Sequence, residues 1–420
     1  MISLFRATLL LCFALALPLA AAAISDPTPD PTAAVVLLRH TVHGGCGSIP
    51  LENCFETMAE LSGNGSTTGW IWTTRQPSAS APLLVDIGPG EFGTFNCAGT
   101  GTTRGFVTLR GSGREQTILA GTAQGVKVTN CKNLSFIDLG AKGRSGAVWE
   151  GSEGGSSSWS NVDLVGIGTT GGPSSGWTDQ SCDTQTTRSV HYFHGSRIRA
   201  ERTAGGPYTW AVYSVCAELW IFGGEISLDI SGGSTSNNFT SVIRNAGALV
   251  EVFGTAIRGK IRGSTTGSAL VGVDINNGTG TTLPIAFHSH GSNIGLSTAG
   301  ADSQSFGVIA ITAADDVHVH SPGTAYALTP GSSGTVTRII INTSGSGQPD
   351  VEAPFHWSAD TSPPLLASSY ASKNGEDLFV ETDCTSTSCS GGTQPHLMIY
   401  STACPSSNPW WDVATNACRQ

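Results

Sequence analysis

Charged and imidazole side chains are concentrated between positions 191 and 202, where six of the twelve residues are histidine, arginine or glutamate. Arg197, Arg199 and Glu201 alternate along the chain, and alternate residues of a β-strand point to the same face. Their tips could therefore converge on a catalytic groove. The competing interpretation is an exposed ladder of solvated polar side chains. The full candidate set is His191, His194, Arg197, Arg199, Glu201 and Arg202.

A second candidate catalytic set combines His290 with the adjacent carboxylates Asp315 and Asp316. Inverting hydrolysis of a glycosidic bond needs two carboxyl groups roughly 6.5 to 9.5 Å apart, with water between them. Neighbouring strand residues point to opposite faces, so at least one of these carboxylates is expected at the interior or at a corner. The alternative is a turn pair that precedes Val317.

Two further sets are candidates for ligand binding. Arg258, Lys260 and Arg262 form a second alternating row, which could bind an acidic glycan if it lies beside the first. Surface charges of this kind often contribute nothing measurable. Trp177 and Trp210 lie near glycine and serine, and an exposed indole packs well on a sugar face. The alternative is that these tryptophans fill the interior or cover a corner.

Cysteine usage and the N-terminal segment both indicate export. Residues 1–23 have the charge, apolar core and small-residue end of a secretory signal, and the Pro-rich residues 24–34 are expected to form an extended linker. Ten of the 11 cysteines follow the signal, an even number that favours disulfides in an oxidising compartment. Local pairs are suggested for Cys46 with Cys54, Cys384 with Cys389 and Cys404 with Cys418.

Composition excludes several classes of function. The spacing of the cysteines lacks paired C-x2-C units with nearby histidines, so no metal site is predicted. The formal net charge of −10 argues against a nucleic-acid-binding surface, which needs clustered positive charge. After the signal, no apolar run approaches the roughly 18 to 20 residues of a membrane-spanning helix. The sequence therefore predicts a secreted or extracytoplasmic protein.

Short β-branched and apolar runs separated by turn residues predict an all-β fold. The opening stretch 83–121 contains strands at 83–87, 106–109 and 117–119, with Gly-rich turns between them. Similar segments recur at spacings of about 21 to 36 residues, and such repetition is typical of a solenoid. We expect eight to ten coils. The predicted interior stack comprises Val126, Val128, Leu134, Phe136, Leu139, Val162, Leu164, Leu219, Ile221, Val250, Val252, Val317 and Val319.

The stretch 83–121 resembles the opening coil of pectin-lyase-like right-handed parallel β-helix proteins, and most closely that of pectin methylesterases. The resemblance implies a single-stranded right-handed parallel β-helix over residues 35–343. We expect a helical patch at 51–61 in its N-terminal cap, and a Cys-rich extension over residues 344–420. Covering the apolar end of a solenoid prevents edge-to-edge association.

The catalytic motifs of the resembled families are absent. The aspartates, glutamines and Arg-Trp pair of pectin methylesterases have no counterparts here. Residues 289–295 look like the G-H-G segment of polygalacturonases, but His290 precedes the Asp315–Asp316 pair, the reverse of that family's order. Calcium-dependent lyases of this fold use acidic calcium ligands and an arginine base. Calcium is therefore implied only if the chain is a lyase, and no other cofactor is expected.

Three functions remain open at this level. The first is an exported, non-enzymatic β-helix protein that presents grooves and corner loops to a polysaccharide or cell-surface glycan. The second is a divergent polysaccharide lyase or glycoside hydrolase. The third is a structural subunit whose coils stack between chains.

Overall fold

The computed structural model describes residues 34–39, 45–49, 53–63, 68–98, 104–151, 154–168, 174–179, 188–203, 209–215, 217–231, 239–262, 269–276, 284–299, 306–311, 317–321, 324–329, 339–341, 350–352, 378–384, 394–400, 404, 410–412 and 415–419. The predicted signal and the linker up to position 33 lie outside these residues. Cys389 also lies outside them, so its suggested pairing with Cys384 stays a prediction.

The N-terminal cap begins with parallel strands and two short helical turns. Its elements are β1 (Ala34–Leu38), β2 (Cys54–Phe55), the helix α1 (Met58–Ser62) and the π-helical turn α2 (Ile71–Arg75).

Nine coils of three strands each follow the cap in the described residues. The first five coils comprise β3 (Leu83–Ile87), β4 (Gly90–Phe92), β5 (Phe95–Ala98), β6 (Arg104–Arg110), β7 (Thr117–Gly121), β8 (Val126–Thr129), β9 (Cys131–Ile137), β10 (Gly140–Gly143), β11 (Val148–Gly151), β12 (Ser156–Ser160), β13 (Asp163–Gly168), β14 (Ser174–Asp179), β15 (Ser189–His194), β16 (Arg197–Arg202) and β17 (Thr209–Ser214). The next four comprise β18 (Ala217–Phe222), β19 (Glu225–Ile230), β20 (Phe239–Asn245), β21 (Leu249–Phe253), β22 (Ala256–Arg262), β23 (Ala269–Ile275), β24 (Ile285–His290), β25 (Asn293–Ala299), β26 (Phe306–Ile311), β27 (Val317–His320), β28 (Ala325–Thr329) and β29 (Ile339–Ile341), and β30 (Asp350–Glu352) follows them.

The strands of successive coils pair in parallel and build three long sheets. Sheet 1 runs β2-β1-β3-β6-β9-β12-β15-β18-β21-β24-β27-β30, sheet 2 contains β4, β7 and every third strand to β28, and sheet 3 contains β5, β8 and every third strand to β29. The fold is therefore the predicted right-handed parallel β-helix. Coil length varies from 22 residues, between Val126 and Val148, to 37, between Glu251 and His288.

Inward-facing side chains fill the cylinder as a continuous stack. All thirteen predicted interior residues are buried, none more than 2% exposed. An aromatic column runs through the first coils, with the ring centroids of Phe136 and Trp159 3.9 Å apart and those of Trp159 and Phe193 6.1 Å apart. Each buried side chain of this size contributes roughly 1.5 to 3 kcal/mol by transfer from water.

The corner between sheets 1 and 2 is a two-residue turn that repeats along the solenoid. Its first residue has a positive φ in six successive coils, which only glycine, asparagine and aspartate adopt at low cost. A Cβ added at the four glycines would meet no atom within 4 Å, so the backbone angle and not space selects glycine. The six residues are Asp138, Asn161, Gly195, Gly223, Gly254 and Gly291.

The cap differs from the predicted helix over 51–61. Cys54 and Phe55 form strand β2, and the disulfide between Cys46 and Cys54 joins this strand to the preceding loop. The helix begins only after Thr57, whose side chain and that of Glu60 form a capping box. Such a box defines a helix start because it satisfies otherwise unpaired backbone N–H groups.

The C-terminal region contains an antiparallel sheet and a disulfide between Cys404 and Cys418, as suggested from the sequence. Strand β30 pairs in parallel with β27, so parallel pairing continues beyond position 343. The domain boundary at 343 stays a prediction. The antiparallel strands are β31 (Leu378–Cys384), β32 (Gln394–Tyr400), β33 (Trp410–Asp412) and β34 (Ala417–Arg419).

Within the described residues, one disulfide was not anticipated from the sequence. Cys97 of β5 is joined to Cys131 of β9, across 34 residues of sequence that include the whole second coil. Among the described residues, no helix has the length and apolar character needed to span a membrane.

Candidate functional site

The first predicted catalytic set is divided between two sheets and two faces. The chain turns from β15 to β16 at Gly195, which separates the two histidines from the arginines. His191 faces the interior and is completely buried, whereas His194 faces outward on sheet 1. Arg197 lies outward on sheet 2. The alternating residues Arg197, Arg199 and Glu201 lie together on this outward face of β16. His191 and Arg202 are buried and His194 lies on sheet 1, so the six candidates do not form one group, and their catalytic role stays a prediction.

His191 belongs to a buried polar network inside the cylinder. Its Nδ1 lies 2.7 Å from Ser157 Oγ and 3.3 Å from Glu150 Oε2. Ser157 and Trp177 donate hydrogen bonds to Glu150 Oε1 at 2.9 and 3.1 Å. Burial raises the pKa of Glu150 to about 7 and lowers the pKa of His191 to about 4. At pH 7 the His191 imidazole is neutral and the Glu150 carboxyl is partly protonated. Both side chains are buried out of reach of a dissolved polysaccharide, so we interpret the network as structural.

The outer face of sheet 2 contains a ladder of ion pairs. The Asp163 carboxylate accepts hydrogen bonds from Arg199 Nε at 3.0 Å and Nη2 at 2.7 Å, and from Arg197 Nη2 at 3.1 Å. Arg199 also contacts Glu201 at 3.3 Å. Burial lowers the pKa of Arg199, but hydrogen bonds and charge from Asp163 outweigh that effect and raise it above its ordinary value. A base must release its proton, so this arrangement does not favour Arg199 as a catalytic base.

The second cationic row lies on the same face, two strands further along. Arg262 pairs with Asp229, whereas Arg258 and Lys260 are exposed and form no ion pair with the described residues. The same face also presents Glu115, Glu201 and other carboxylates. Because positive and negative charges alternate across sheet 2, it lacks the uniform field that would attract an acidic polymer.

Neither tryptophan proposed for sugar stacking presents an open ring. Trp177 is completely buried inside the cylinder, where its ring lies edge-on to Phe193 at 5.8 Å. Trp210 is 8% exposed, and its ring lies 4.8 Å from that of Tyr213 and 5.2 Å from the Arg244 guanidinium. The expectation of exposed indoles at these two positions is therefore wrong. The alternative, in which the tryptophans fill the interior or cover a corner, describes them correctly.

The outer face of sheet 1 presents a row of partly exposed rings that sequence reasoning did not identify. His194, Phe222, Phe253 and His290 occupy equivalent positions on β15, β18, β21 and β24. Their ring planes are within 10° of parallel, and successive centroids are 5.1, 4.9 and 4.6 Å apart. We name these four residues the ring row.

A second outward column lies beside the ring row. Tyr192, Trp220, Glu251 and His288 are paired in register across the same four strands. Tyr192 is 38% exposed, and Trp220 Nε1 donates to Glu218 Oε1 at 2.8 Å. The two columns together form an amphipathic surface of aromatic rings, imidazoles and carboxylates.

Four histidines and Glu251 form a polar cluster at one end of this surface. We name His288, His290, His318 and His320 the histidine cluster. His288 Nδ1 lies 2.6 Å from Glu251 Oε1, and His290 Nε2 lies 3.2 Å from Glu251 Oε2. Burial raises the pKa of Glu251, but hydrogen bonds and positive charge from the two histidines outweigh burial and lower it below 4.5. Glu251 is therefore an acceptor that fixes both rings.

The sequence contained a signal for this cluster. Residues 287–290 read F-H-S-H and residues 317–320 read V-H-V-H, and alternation places each pair of histidines on one face. Of these four, only His290 was among the predicted site residues, together with Asp315 and Asp316. Both aspartates lie outside the described residues, so their proposed role stays a prediction.

Comparison with protein-family models finds no matching family, and no curated protein matches. Among solved structures, the chain is similar to the A-module of mannuronan C-5 epimerase AlgE6 from Azotobacter vinelandii. The similarity has 13% sequence identity and a TM-score of 0.17, and it covers 61% of this chain and 91% of the other. At this TM-score the likeness says nothing about the ligand or reaction of this chain.

Proposed function

We propose that the protein is an exported β-helix protein that binds a polysaccharide along the outer face of sheet 1 without cleaving it. The observation that supports this most directly is the ring row with its parallel column of Tyr192, Trp220, Glu251 and His288. Strands in a sheet are about 4.8 Å apart, so four of them present about 14 Å of apolar surface along the solenoid axis. Polar groups that can bind sugar hydroxyls flank this strip.

The geometry of the rings defines how a glycan would contact them. Ring faces inside the row are covered by neighbouring rings, as the centroid separations of 4.6 to 5.1 Å require. A glycan would therefore lie across ring edges and the exposed Tyr192, rather than on the face of one isolated indole. The hydrogen-bonded pair of Trp220 and Glu218 adds polar atoms at the edge of this surface.

Cleavage is less favoured than binding on this face. An inverting hydrolase needs one carboxylic acid with a raised pKa and a second carboxylate. Glu251 has a lowered pKa, and the carboxyls with pKa values raised to about 7 and about 6, Glu150 and Asp274, are both buried. The second candidate function, a divergent lyase or hydrolase, is kept because His290 lies on this surface beside Glu251.

Export is supported by the disulfides that join Cys46 to Cys54, Cys97 to Cys131 and Cys404 to Cys418. Disulfides form and persist mainly in oxidising compartments outside the cytosol. A stable extracytoplasmic scaffold with a long unbroken lateral surface fits a protein that contacts polymers.

Affinity electrophoresis and calorimetry with neutral and acidic polysaccharides test this proposal. We expect Tyr192→Ala and Trp220→Leu each to weaken binding about tenfold, which corresponds to about 1.4 kcal/mol. The matched control is the double variant Arg258→Ala with Lys260→Ala, on sheet 2, which should bind like the wild type. Loss of binding only in that control would place the glycan on sheet 2 and overturn the proposal.

The same mixtures should be assayed for new reducing ends and unsaturated sugar products. We expect none. Turnover by the wild type that disappears in His290→Ala would replace the binding proposal with the enzyme alternative. Thermal melting of each variant establishes that lost binding does not reflect unfolding.

A further inference from the structure

We propose that three members of the histidine cluster, His288, His318 and His320, bind a divalent transition-metal ion of the Zn²⁺ class. Imidazole nitrogens suit zinc, copper and nickel, whereas calcium and magnesium prefer oxygen. The site shares His288 with the proposed glycan surface, but metal binding does not depend on glycan binding.

Strand register places the three ligands side by side. His288 lies on β24 directly opposite His320 on β27, and His318 lies two residues before His320 on the same outward face. His288 Nε2 and His318 Nδ1 are already 2.8 Å apart. Two strands of a rigid solenoid therefore present three imidazoles from one patch of surface.

Glu251 determines which nitrogen of His288 faces the cluster. As a carboxylate it accepts a hydrogen bond from Nδ1–H of His288 at 2.6 Å. In neutral His288 the lone pair is then on Nε2, the atom that points at His318. A carboxylate that orients a histidine in this way is a common arrangement behind metal-bound imidazoles, where it also strengthens the ligand.

The ring separations are close to those of a metal centre but wider on the His320 side. A zinc–nitrogen bond of about 2.0 to 2.1 Å puts each ring centroid about 3.2 Å from the ion, so ligand rings at tetrahedral angles are about 5.2 Å apart. The centroids of His288 and His318 are 4.9 Å apart, close to that value. Those of His288 and His320 are 6.0 Å apart and those of His318 and His320 are 6.4 Å apart, so the His320 ring has to move toward the other two when an ion binds.

Binding requires rotation of side chains. As the rings stand, no three ligand atoms of the described residues form a metal-binding group. His288 Nε2 and His318 Nδ1 share a hydrogen bond, which an ion would replace by lying between the two nitrogens. Rotation of the outward rings of His318 and His320 would break their stacking on each other and the hydrogen bond between His318 and His288.

His290 serves as the matched control because it belongs to the same cluster but has a different environment. Its ring stacks on Phe253 with centroids 4.6 Å apart, and its Nε2 is held by Glu251 at 3.2 Å.

Acidic residues lie on the strand that follows the ligand strand β27. Strand β30 places Asp350 and Glu352 in register with His318 and His320.

Calorimetric titration of chelator-treated, full-length exported protein with Zn²⁺ at pH 7.5 tests the proposal. We expect one ion per chain, and we expect the double variant His288→Ala with His318→Ala to bind at least a hundredfold more weakly. His290→Ala should retain affinity within about threefold. Glu251→Gln should lower affinity by roughly ten- to a hundredfold, as for other residues that orient a metal ligand.

Titration with Co²⁺ adds a spectroscopic measurement, because imidazole coordination changes the visible absorption of this ion. We expect that change in the wild type and in His290→Ala, and its loss in the double variant. Zinc affinity that is unchanged in the double variant would overturn the proposal. The absence of zinc binding at millimolar concentration, or saturable binding of Ca²⁺ instead, would also overturn it.

Discussion

Glu251 and His288 meet across the adjacent parallel strands β21 and β24, with Oε1 2.6 Å from Nδ1. The contact exists because both residues face outward at paired positions, although 37 residues of chain separate them. The Glu251 side chain is only 10% exposed, and its second oxygen contacts His290. One carboxylate therefore positions two histidines on the outer face of sheet 1.

Glu251→Gln is expected to destabilise the protein by about 1 to 3 kcal/mol at pH 7, because charged hydrogen bonds to both histidines are lost. The pKa of Glu251 is lowered from 4.5, so its contribution is present above that pH and disappears as the pH falls through the folded-state value. Urea unfolding at pH 7 and pH 3 should show a difference from wild type only at pH 7. An equal difference at both values would contradict this assignment.

Glu150→Gln should change the pH dependence of stability in the opposite sense. The pKa of Glu150 is raised to about 7, so its protonated form stabilises the fold at low pH and this contribution is lost as the pH rises through 7. Relative to wild type, the variant should gain up to about 3 kcal/mol between pH 5 and pH 8. The pKa of His191 is lowered to about 4, but His191 is present in both proteins and largely cancels from the comparison. A stability difference between variant and wild type that is the same at pH 5 and pH 8 would show that burial does not raise the pKa of Glu150.

Phe136→Ala should open the interior stack beside Trp159. A large-to-small change at a fully buried aromatic position costs about 3 to 5 kcal/mol, because contacts are lost and a cavity remains. Ser135→Ala, the neighbouring outward position, is the control and should stay within about 0.5 kcal/mol of wild type. Chemical denaturation measures both, and similar values for the two variants would be inconsistent with the assigned faces.

The sheet 2 ion pairs contain a buried aspartate, Asp163, and a more exposed one, Asp229, and the substitutions Asp163→Asn and Asp229→Asn test whether burial determines their contribution. The Asp163 side chain is 8% exposed and serves two arginines, whereas that of Asp229 is 33% exposed and pairs with Arg262. We expect the first change to cost about 1 to 3 kcal/mol and the second no more than about 1 kcal/mol. In 1 M salt the second effect should vanish, since exposed pairs are screened. If thermal melting shows equal losses of stability for the two substitutions, burial does not determine how much each aspartate contributes.

The interior of the fold was predictable because apolar alternation is a local property of the sequence. Val250 and Val252 could be assigned to the core without knowing which strand lies beside them. The repeating corner was also visible in principle, since Gly223 and Gly254 each precede a new strand by two residues. Unequal coil lengths conceal this periodicity in the sequence.

The surface was much less predictable. Which outward residues become neighbours depends on register between coils, and a shift by one residue exchanges the inner and outer faces. The positions of Phe253 and His290 differ by 37 residues, while those of Ser135 and Ser158 differ by 23, so no fixed repeat aligns them. The tryptophans were misplaced for a related reason, because Trp177 has glycine and serine neighbours that suggest a loop but is paired within sheet 3.

The covalent link from Cys97 to Cys131 closes a ring around the second coil, since the chain between them makes a full circuit of the cylinder. A pulling force applied at the N-terminal end can unfold the cap and the first strands, but at Cys97 the disulfide transmits the force directly to Cys131 in the third coil. Mechanical unfolding from this end should therefore stop at the disulfide unless a reductant breaks it.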